Sequence, residues 1–280
     1  MAAAKTTPTR QLIRKLRDDL QHLLESAPNL DPTSRDRALL NEEIHRSAVA
    51  LNTLLAELDP VQRPTAVFDP GNPRTIGFFV ALALTAQPRR PLAELKDFYG
   101  TGVYALYYTG KFRQYAPISR SETPIYIGMA VHEPTQPTPR YKKGTPLAAR
   151  LNEHRKNIAR ASETLNVEDF DYRALVIQNG WEAPAENYLI RLFRPVWNKE
   201  MKVLYGFGKH GDSVDTRGNR RSPWDTLHSG RKWATGEKQR DAKSIQDISR
   251  LLATHFERHT IYKKFRDVLA AFIADLRQTD

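Results

Sequence analysis

Two short tyrosine-rich runs in the middle of the chain restrict the fold more than any other feature. They are GTGVYALYYTGKF at 100–112 and PIYIGMA at 124–130. Both contain the aromatic and β-branched residues that favour strands, and turn-forming residues bound them. We therefore predict strands at 103–108 and 125–130. Because the connection between them is short, the two strands most simply pair in an antiparallel manner.

The pattern then changes to that of a helix, a third strand and a second helix. Thr145 is a good N-cap and Pro146 suits a first helical position, so we predict a helix over 146–160. FDYRALVIQ predicts a strand at 170–178, and a helix of roughly 183–193 should follow it. The middle of the chain thus has the order strand, strand, helix, strand, helix, which is an α+β arrangement.

Amphipathic helices are predicted at both ends of the chain. Apolar residues recur at three- and four-residue spacing from Ile13 to Leu23 and from Leu40 to Leu58. We expect a helical hairpin extension over 1–64, which could pack on its own domain, pair protomers or embrace a ligand. Further helices are predicted over 241–280, which leaves 65–240 as the core.

The composition indicates a globular protein that binds a polyanion. Of its 280 residues 40% are hydrophobic, and the formal net charge is +11, which favours nucleic acid first and an anionic membrane surface second. Cysteine is absent, so disulfides and a thiolate zinc site are excluded. The longest apolar run, at 76–86, is too short to cross a bilayer, and the N-terminus has no hydrophobic signal core. We expect a cytoplasmic protein.

Arg150 and His154 are the first candidates for chemistry. They stand four residues apart on the predicted helix and therefore share a face. A permanent cation beside a base that titrates near neutrality suits a phosphate. A solvated basic face is the alternative, because the segment from Arg140 to Arg160 holds seven Lys or Arg and a single Glu.

Glu186 and Asn198 are the next candidates, and each also has a simple structural interpretation. Glu186 lies near the start of a predicted helix, where an acid complements the macrodipole but could equally hold one Mg²⁺. Asn198 follows in RPVWNK and could be a residue that only ends that helix.

Together these positions resemble the GIY-YIG nuclease superfamily. Gly102-Val103-Tyr104 stands for its GIY motif, with Val as a departure, and Tyr126-Ile127-Gly128 matches YIG letter for letter. The remaining motif residues match on the predicted helices: Arg150, His154, Glu186 and Asn198.

A narrower resemblance lies in the flanking segments. FDPGNPRTIGFFVALALTAQPRRPL before the core and GKHGDSVDTRGNRRSPWDTLHSGRKWA after it look like the type II restriction endonucleases of this superfamily that cut CCGCGG. The resemblance implies a small antiparallel three-stranded sheet flanked by helices, with helical N- and C-terminal extensions. It also implies Mg²⁺ as cofactor, double-stranded DNA as substrate, a homodimer on a palindromic site, and a cognate DNA methyltransferase in the host.

The resemblance assigns roles to the site residues. Glu186 would hold Mg²⁺, and Arg150 would brace the phosphorus. Tyr104 would contact the attacking water with His154 able to accept its proton. Tyr126 would orient the water or the phosphate, and Asn198 would tether neighbouring groups or the DNA backbone.

A basic loop is the predicted reader of the DNA sequence. The segment from Lys209 to Arg240 carries eight Lys or Arg, and such side chains pair with guanine O6 and N7 in the major groove. A flexible charged loop that touches only phosphates is the alternative. The predicted DNA-binding residues are Lys209, His210, Arg217, Arg220, Arg221 and Arg231.

Two other functions fit the same residues. The nuclease core could serve DNA repair or homing instead of restriction. The chain could also be a basic DNA-binding regulator without catalysis, whose tyrosines and Glu186 are structural.

Overall fold

The computed structural model describes residues 8–27, 33–58, 61, 69–131, 144–177, 180–208, 220–234 and 239–277. The chain forms two compact units, Met1–Thr65 and Ala66–Asp280.

The first unit contains the two N-terminal helices, α1 (Pro8–Ser26) and α2 (Ser34–Leu58). Their apolar side chains are largely exposed, and α1 has no buried residue. Leu12 and Leu58, for example, are both about two-thirds exposed, at 68% and 70%. The helices lie where the periodicity predicts them, and their packing as a hairpin stays a prediction.

An antiparallel sheet forms the centre of the second unit. Its strands are β1 (Arg90–Pro91), β2 (Thr101–Tyr108), β3 (Tyr126–Ala130) and β4 (Phe170–Ile177). The order across the sheet is β1-β4-β2-β3, and every neighbouring pair is antiparallel. β2 is buried along its whole length, and β3 is an edge strand.

The α+β class is confirmed, but the prediction of a three-stranded sheet was wrong. The fourth strand is β1, which pairs only Arg90 and Pro91 with residues of β4. The sequence did not reveal β1, because two residues are too few to show an alternating pattern. Its proline, which an edge strand tolerates, is also typical of a loop.

Helices cover both faces of this sheet. They are α3 (Pro73–Thr85), α4 (Pro146–Arg160), α5 (Glu182–Phe193), α6 (Pro223–Leu227), α7 (Ile245–Arg258) and α8 (Phe265–Arg277). Capping residues start several of them: Asn72 accepts from the N–H of Arg74, and Ser244 accepts from that of Asp247. Thr145 precedes α4 as predicted, but its side chain makes no capping hydrogen bond.

The alternation of β2 divides the core into two layers. Tyr104, Leu106 and Tyr108 pack on one face with α4 and α7, whereas Val103, Ala105 and Tyr107 pack on the other face with α3, α5 and α8. A second, parallel pair of short strands is formed by β5 (Arg220–Arg221) and β6 (Arg240–Asp241). Within the described part of the chain, no helix has the length and apolar character needed to span a bilayer.

Candidate active site

Tyr104 and His154 form the buried centre of the site. Tyr104 lies on β2 and His154 on α4, both fully buried at 0% exposure, and the phenol oxygen is 2.6 Å from His154 Nε2. This burial contradicts the interpretation of the helix face as a solvated basic surface. Burial first, and then the charge of Tyr126, raises the pKa of Tyr104 well above its ordinary value, although Arg150 opposes the shift. The phenol is therefore neutral at any ordinary pH.

Tyr126 lies beside this pair on the edge strand. Its ring centroid is 6.1 Å from that of Tyr104 and 5.1 Å from that of His154. Gly128 makes the approach possible, since it pairs with Tyr104 across the two strands and a Cβ there would lie 2.3 Å from the Tyr104 oxygen. The glycine of the YIG run is thus required by contact with a tyrosine of the preceding strand.

Arg150 brings a fixed positive charge to the two phenols. It lies one turn before His154 on α4, and its charge and hydrogen bonding act on the hydroxyls of both Tyr104 and Tyr126. Its Nη1 is 2.6 Å from a carboxylate oxygen of Glu153, and its Nη2 donates to the carbonyl of Gly208 at 2.5 Å. These two contacts fix the guanidinium beside the cleft.

Glu186 reaches the site from the opposite side of the edge strand. It lies in the second turn of α5, and the acid in the first turn is Glu182, which is buried and accepts from the Thr101 hydroxyl. Burial first, and then the charge of Glu200, raises the pKa of Glu186 to about 7, although the backbone N–H of Met129 and the charge of Arg150 oppose this. A nearby cation would stabilise the ionised form of this half-buried carboxylate.

Asn198 holds the outer edge of β3. Its Nδ2 donates to the Ile127 carbonyl at 2.8 Å, and its Oδ1 accepts from the Ile127 N–H at 2.9 Å. The amide therefore pairs with both outward groups of Ile127, as a neighbouring strand would. Because Met129 lies two residues further on, its N–H points to the same edge, where it meets Glu186.

A cleft of about 580 Å³ opens from these residues. Tyr126, Glu186 and Asn198 line it, together with Glu200 and the aromatic rings of Trp197 and Tyr205. Lys199, Lys202 and Lys243 also line it, and Lys243 Nζ donates to the Lys202 carbonyl at 2.7 Å. We did not predict the lysines, because they come from segments without a motif, and only the excess of positive charge indicated such residues.

Phe207 is another residue that the sequence did not indicate. Its ring stacks on that of His154, with centroids 4.5 Å apart and an interplanar angle of 21°, and it lies 5.2 Å from Tyr126. The next residue, Gly208, has no room for a side chain, since a Cβ there would lie 2.3 Å from the Tyr126 oxygen. The turn 205–208 thus packs against His154 and Arg150 of α4 and against Tyr126.

Of the six predicted DNA-binding residues, three are not described by the structure, two lie on the strand β5, and one, Arg231, is buried. Lys209, His210 and Arg217 lie outside the described residues. Arg220 is exposed on β5, and Arg221 is paired with Asp241 at 2.8 Å.

Arg231 does not support its predicted role in DNA contact. It is 1% exposed, and its Nε is 2.6 Å from a carboxylate oxygen of Asp225. A buried and paired guanidinium cannot reach a base edge, so we remove Arg231 from the predicted DNA-binding set. The sequence suggested otherwise because a basic residue in a glycine-rich segment resembles a surface residue, and its partner is not evident from local periodicity.

Comparison with known families adds an independent finding. Residues 96–256 match the family model described as the Eco29kI GIY-YIG domain. The match covers more than half of the chain and includes every residue of the cleft named above. No curated protein matches the chain.

Proposed function

The chain belongs to the Eco29kI GIY-YIG family, a family of restriction endonucleases, and from this premise we propose that it is a type II restriction endonuclease. It would hydrolyse both strands of duplex DNA at a palindromic site, with CCGCGG as the proposed sequence and Mg²⁺ as the cofactor. One observation carries the catalytic part of this proposal. Tyr126 and Glu186 line one cleft. The hydrogen-bonded pair of Tyr104 and His154 lies directly beside Tyr126, and the Arg150 guanidinium acts on both phenols.

The Tyr104–His154 pair supports a relay for the proton of the attacking water. Tyr104 is neutral, so it does not act as a phenolate base. Its oxygen would accept a proton from one water bound beside the cleft-lining Tyr126, while its own proton passes to His154 Nε2, 2.6 Å away. The water oxygen then bonds to phosphorus as the bond to the leaving oxygen breaks. His154 is the final acceptor of the proton in this scheme.

Arg150 and Tyr126 would stabilise the negative charge that develops on the phosphate. Arg150 is held by Glu153 and the Gly208 carbonyl, so its charge needs no reorganisation during the reaction. The Tyr126 hydroxyl is beside the same guanidinium and would donate to a phosphate oxygen or orient the water. Asn198 would act indirectly, because its amide fixes the backbone of the strand that carries Tyr126.

A divalent cation fits the acidic side of the cleft. Glu186 and Glu200 line it together, and the charge of Glu200 raises the pKa of Glu186. No group of three or more metal-ligating His, Asp or Glu side chains occurs in the described ranges. Glu186 would therefore bind Mg²⁺ as a protein carboxylate, with substrate phosphate oxygens among the other ligands. When bound, Mg²⁺ supplies Lewis-acid stabilisation of charge on the phosphate and the leaving oxygen.

The lysines of the cleft support a path for the DNA strand. A strand whose scissile phosphate lies at Arg150 and Glu186 carries further phosphates on both sides. Lys199, Lys202 and Lys243 line the same cleft, and their charge would offset repulsion between these phosphates and Glu200. We propose that Lys243, a partly exposed residue whose ammonium lies 5.5 Å from the centre of the Tyr205 ring, contacts one flanking phosphate.

We also propose how the protein recognises the DNA sequence and in which oligomeric state it acts. The basic residues of 209–221 would read the G·C pairs in the major groove, with Arg220 as the exposed described member. A two-fold dimer would match a palindromic site and cut one strand with each subunit. A cognate methyltransferase would protect host DNA, and we propose the cytoplasm as the location.

Plasmid cleavage tests the proposal directly. Plasmid containing CCGCGG is incubated with the protein and Mg²⁺, with Glu186→Ala as the inactive variant and Glu257→Gln, an exposed helix acid, as the matched control. Discrete fragments from the wild type and the control, absent with Glu186→Ala, support restriction, and sequencing of the ends gives the site. DNA that both wild type and variant shift but do not cut would indicate a regulator. Cleavage limited to branched or damaged DNA would indicate repair.

A further inference from the structure

Arg231 is a buried cation for which neither catalysis nor DNA contact accounts. Its Nε is paired with Asp225 at 2.6 Å, and its guanidinium lies 4.5 Å from the centre of the Trp224 ring. Asp225 is itself 1% exposed and accepts from the Ser222 hydroxyl. Burying such a pair costs desolvation energy, and its geometry is specified by several contacts at once.

The remaining donors of Arg231 hold the turn that closes the active site. Its Nη2 donates to the Gly206 carbonyl at 2.9 Å, and its Nη1 donates to the Phe207 carbonyl at 3.3 Å. These carbonyls belong to consecutive residues. A planar guanidinium that binds both fixes the orientation of the backbone between them, which a flexible ammonium would do less well.

The same turn contacts three of the proposed catalytic side chains. Phe207 stacks on His154 at 4.5 Å, and the Gly208 carbonyl accepts from Arg150 at 2.5 Å. Gly208 also lies so close to the Tyr126 hydroxyl that a side chain at this position would collide with it. A shift of this turn would therefore move the imidazole, the guanidinium and the phenol together.

We propose that Arg231 is a positioning residue for the nuclease reaction. Together with Asp225 it fixes the turn 205–208, so that Phe207 and Gly208 hold the catalytic side chains in their productive places. This inference rests on the proposed nuclease function.

Two variants test the inference without leaving a buried charge unpaired. The double variant Asp225→Asn/Arg231→Met removes both charges, and Arg231→Lys keeps the charge but not the planar fork. The cleavage rate is measured in single turnover with Mg²⁺, and DNA affinity is measured with Ca²⁺ in place of Mg²⁺. We expect cleavage by the double variant to be about 10- to 100-fold slower with affinity within about threefold of wild type. Cleavage by Arg231→Lys should be slower than that of wild type but faster than that of the double variant.

A second buried ion pair provides the matched control. Arg173 is 8% exposed and 2.8 Å from Glu122, and it packs with Tyr107 on the sheet face opposite to Tyr104. Arg173→Met leaves Glu122 paired with Arg89 at 3.1 Å, so no charge loses its last partner. This variant should lower the melting temperature and leave the single-turnover rate within about twofold of wild type.

The outcomes separate the inference from the function on which it rests. Wild-type rates in the folded Arg231 variants would overturn the inference, and so would an equal loss of rate in the Arg173 control. A wild-type protein that cuts no DNA would overturn the proposed function itself and the inference with it.

Discussion

The phenol oxygen of Tyr104 and Nε2 of His154 lie 2.6 Å apart, although 50 positions separate the two residues. β2 and α4 bring them together in the interior beside the cleft-lining Tyr126, so bulk solvent does not compete for the hydrogen bond. A short contact between a neutral phenol and an imidazole permits a proton to move between them without a large change in geometry. The first prediction concerns this pair.

Tyr104→Phe should lower the single-turnover cleavage rate by about 100- to 10,000-fold, because it removes the only oxygen between water and His154 in the proposed relay. DNA affinity should change little, since the ring and Arg150 remain. Tyr107→Phe is the matched control: Tyr107 is equally buried on the same strand, and its hydroxyl bonds to Arg173 on the opposite face. Equal losses of rate in both variants would contradict the relay.

The pKa of Glu186 predicts a pH dependence of metal binding. Since burial and Glu200 raise this pKa to about 7, the carboxyl of the metal-free protein is largely protonated at pH 6 and ionised at pH 8. Mn²⁺ affinity, measured by calorimetry, should therefore rise through pH 7, and the cleavage rate at limiting Mg²⁺ should rise with it. An affinity that does not change between pH 6 and 8 would contradict this assignment, and Glu186→Gln should remove the dependence.

The same raised pKa predicts that the stability contributed by Glu186 falls as pH rises, whereas metal affinity rises. An acid whose pKa is higher in the folded state contributes its full stability below about pH 4.5 and loses it as pH rises through 7. Without metal, Glu186→Gln should therefore be more stable than wild type at pH 8, by about 1–2 kcal/mol after allowance for partial exposure, and equal to it near pH 4.5. Chemical denaturation at both values measures this, with Glu168→Gln, at an exposed position outside the cleft, as the matched control.

Replacing Asn198 should loosen the edge of β3, and hydrogen exchange at the backbone amide of Ile127 can detect this. Asn198→Ala removes both hydrogen bonds to Ile127 and leaves the edge of β3 open, so we expect a loss of about 2–3 kcal/mol in the free energy of unfolding. Hydrogen exchange at the Ile127 N–H should accelerate, while exchange at residues of β2 reports only the global loss. Unchanged protection at Ile127 would show that the amide does not hold the strand.

Local pattern predicted the parts of the site that lie on regular elements. Aromatic and β-branched residues bounded by turn-forming residues predicted the strands of Tyr104 and Tyr126. The i,i+4 spacing put Arg150 and His154 on one helical face. The resemblance then associated Glu186 with them. In the structure Tyr126 and Glu186 line the cleft, and the other three residues lie beside Tyr126.

Contacts between distant segments could not be predicted in this way. Phe207 stacks on His154 from a segment without periodicity, and Asn198 bonds to a strand 71 positions earlier. Arg231 looked like a DNA contact because no local pattern reveals that Asp225 and two backbone carbonyls enclose it. Side-chain partners of this kind are set by the tertiary arrangement, which composition and spacing do not encode locally.

The cleft lysines give the last prediction. Lys243 is half-buried, and its single hydrogen bond to the Lys202 carbonyl uses one of three ammonium donors, so the group can bind a phosphate oxygen as well. If it contacts one phosphate, Lys243→Gln should weaken DNA binding by a similar factor for cognate and unrelated duplexes. It should also reduce the slope of log affinity against log salt by about 1. Lys264→Gln, at an exposed position outside the cleft, should leave the slope unchanged. A slope that stays at the wild-type value in Lys243→Gln would place the DNA strand elsewhere, because removal of a phosphate contact must reduce the number of counterions released.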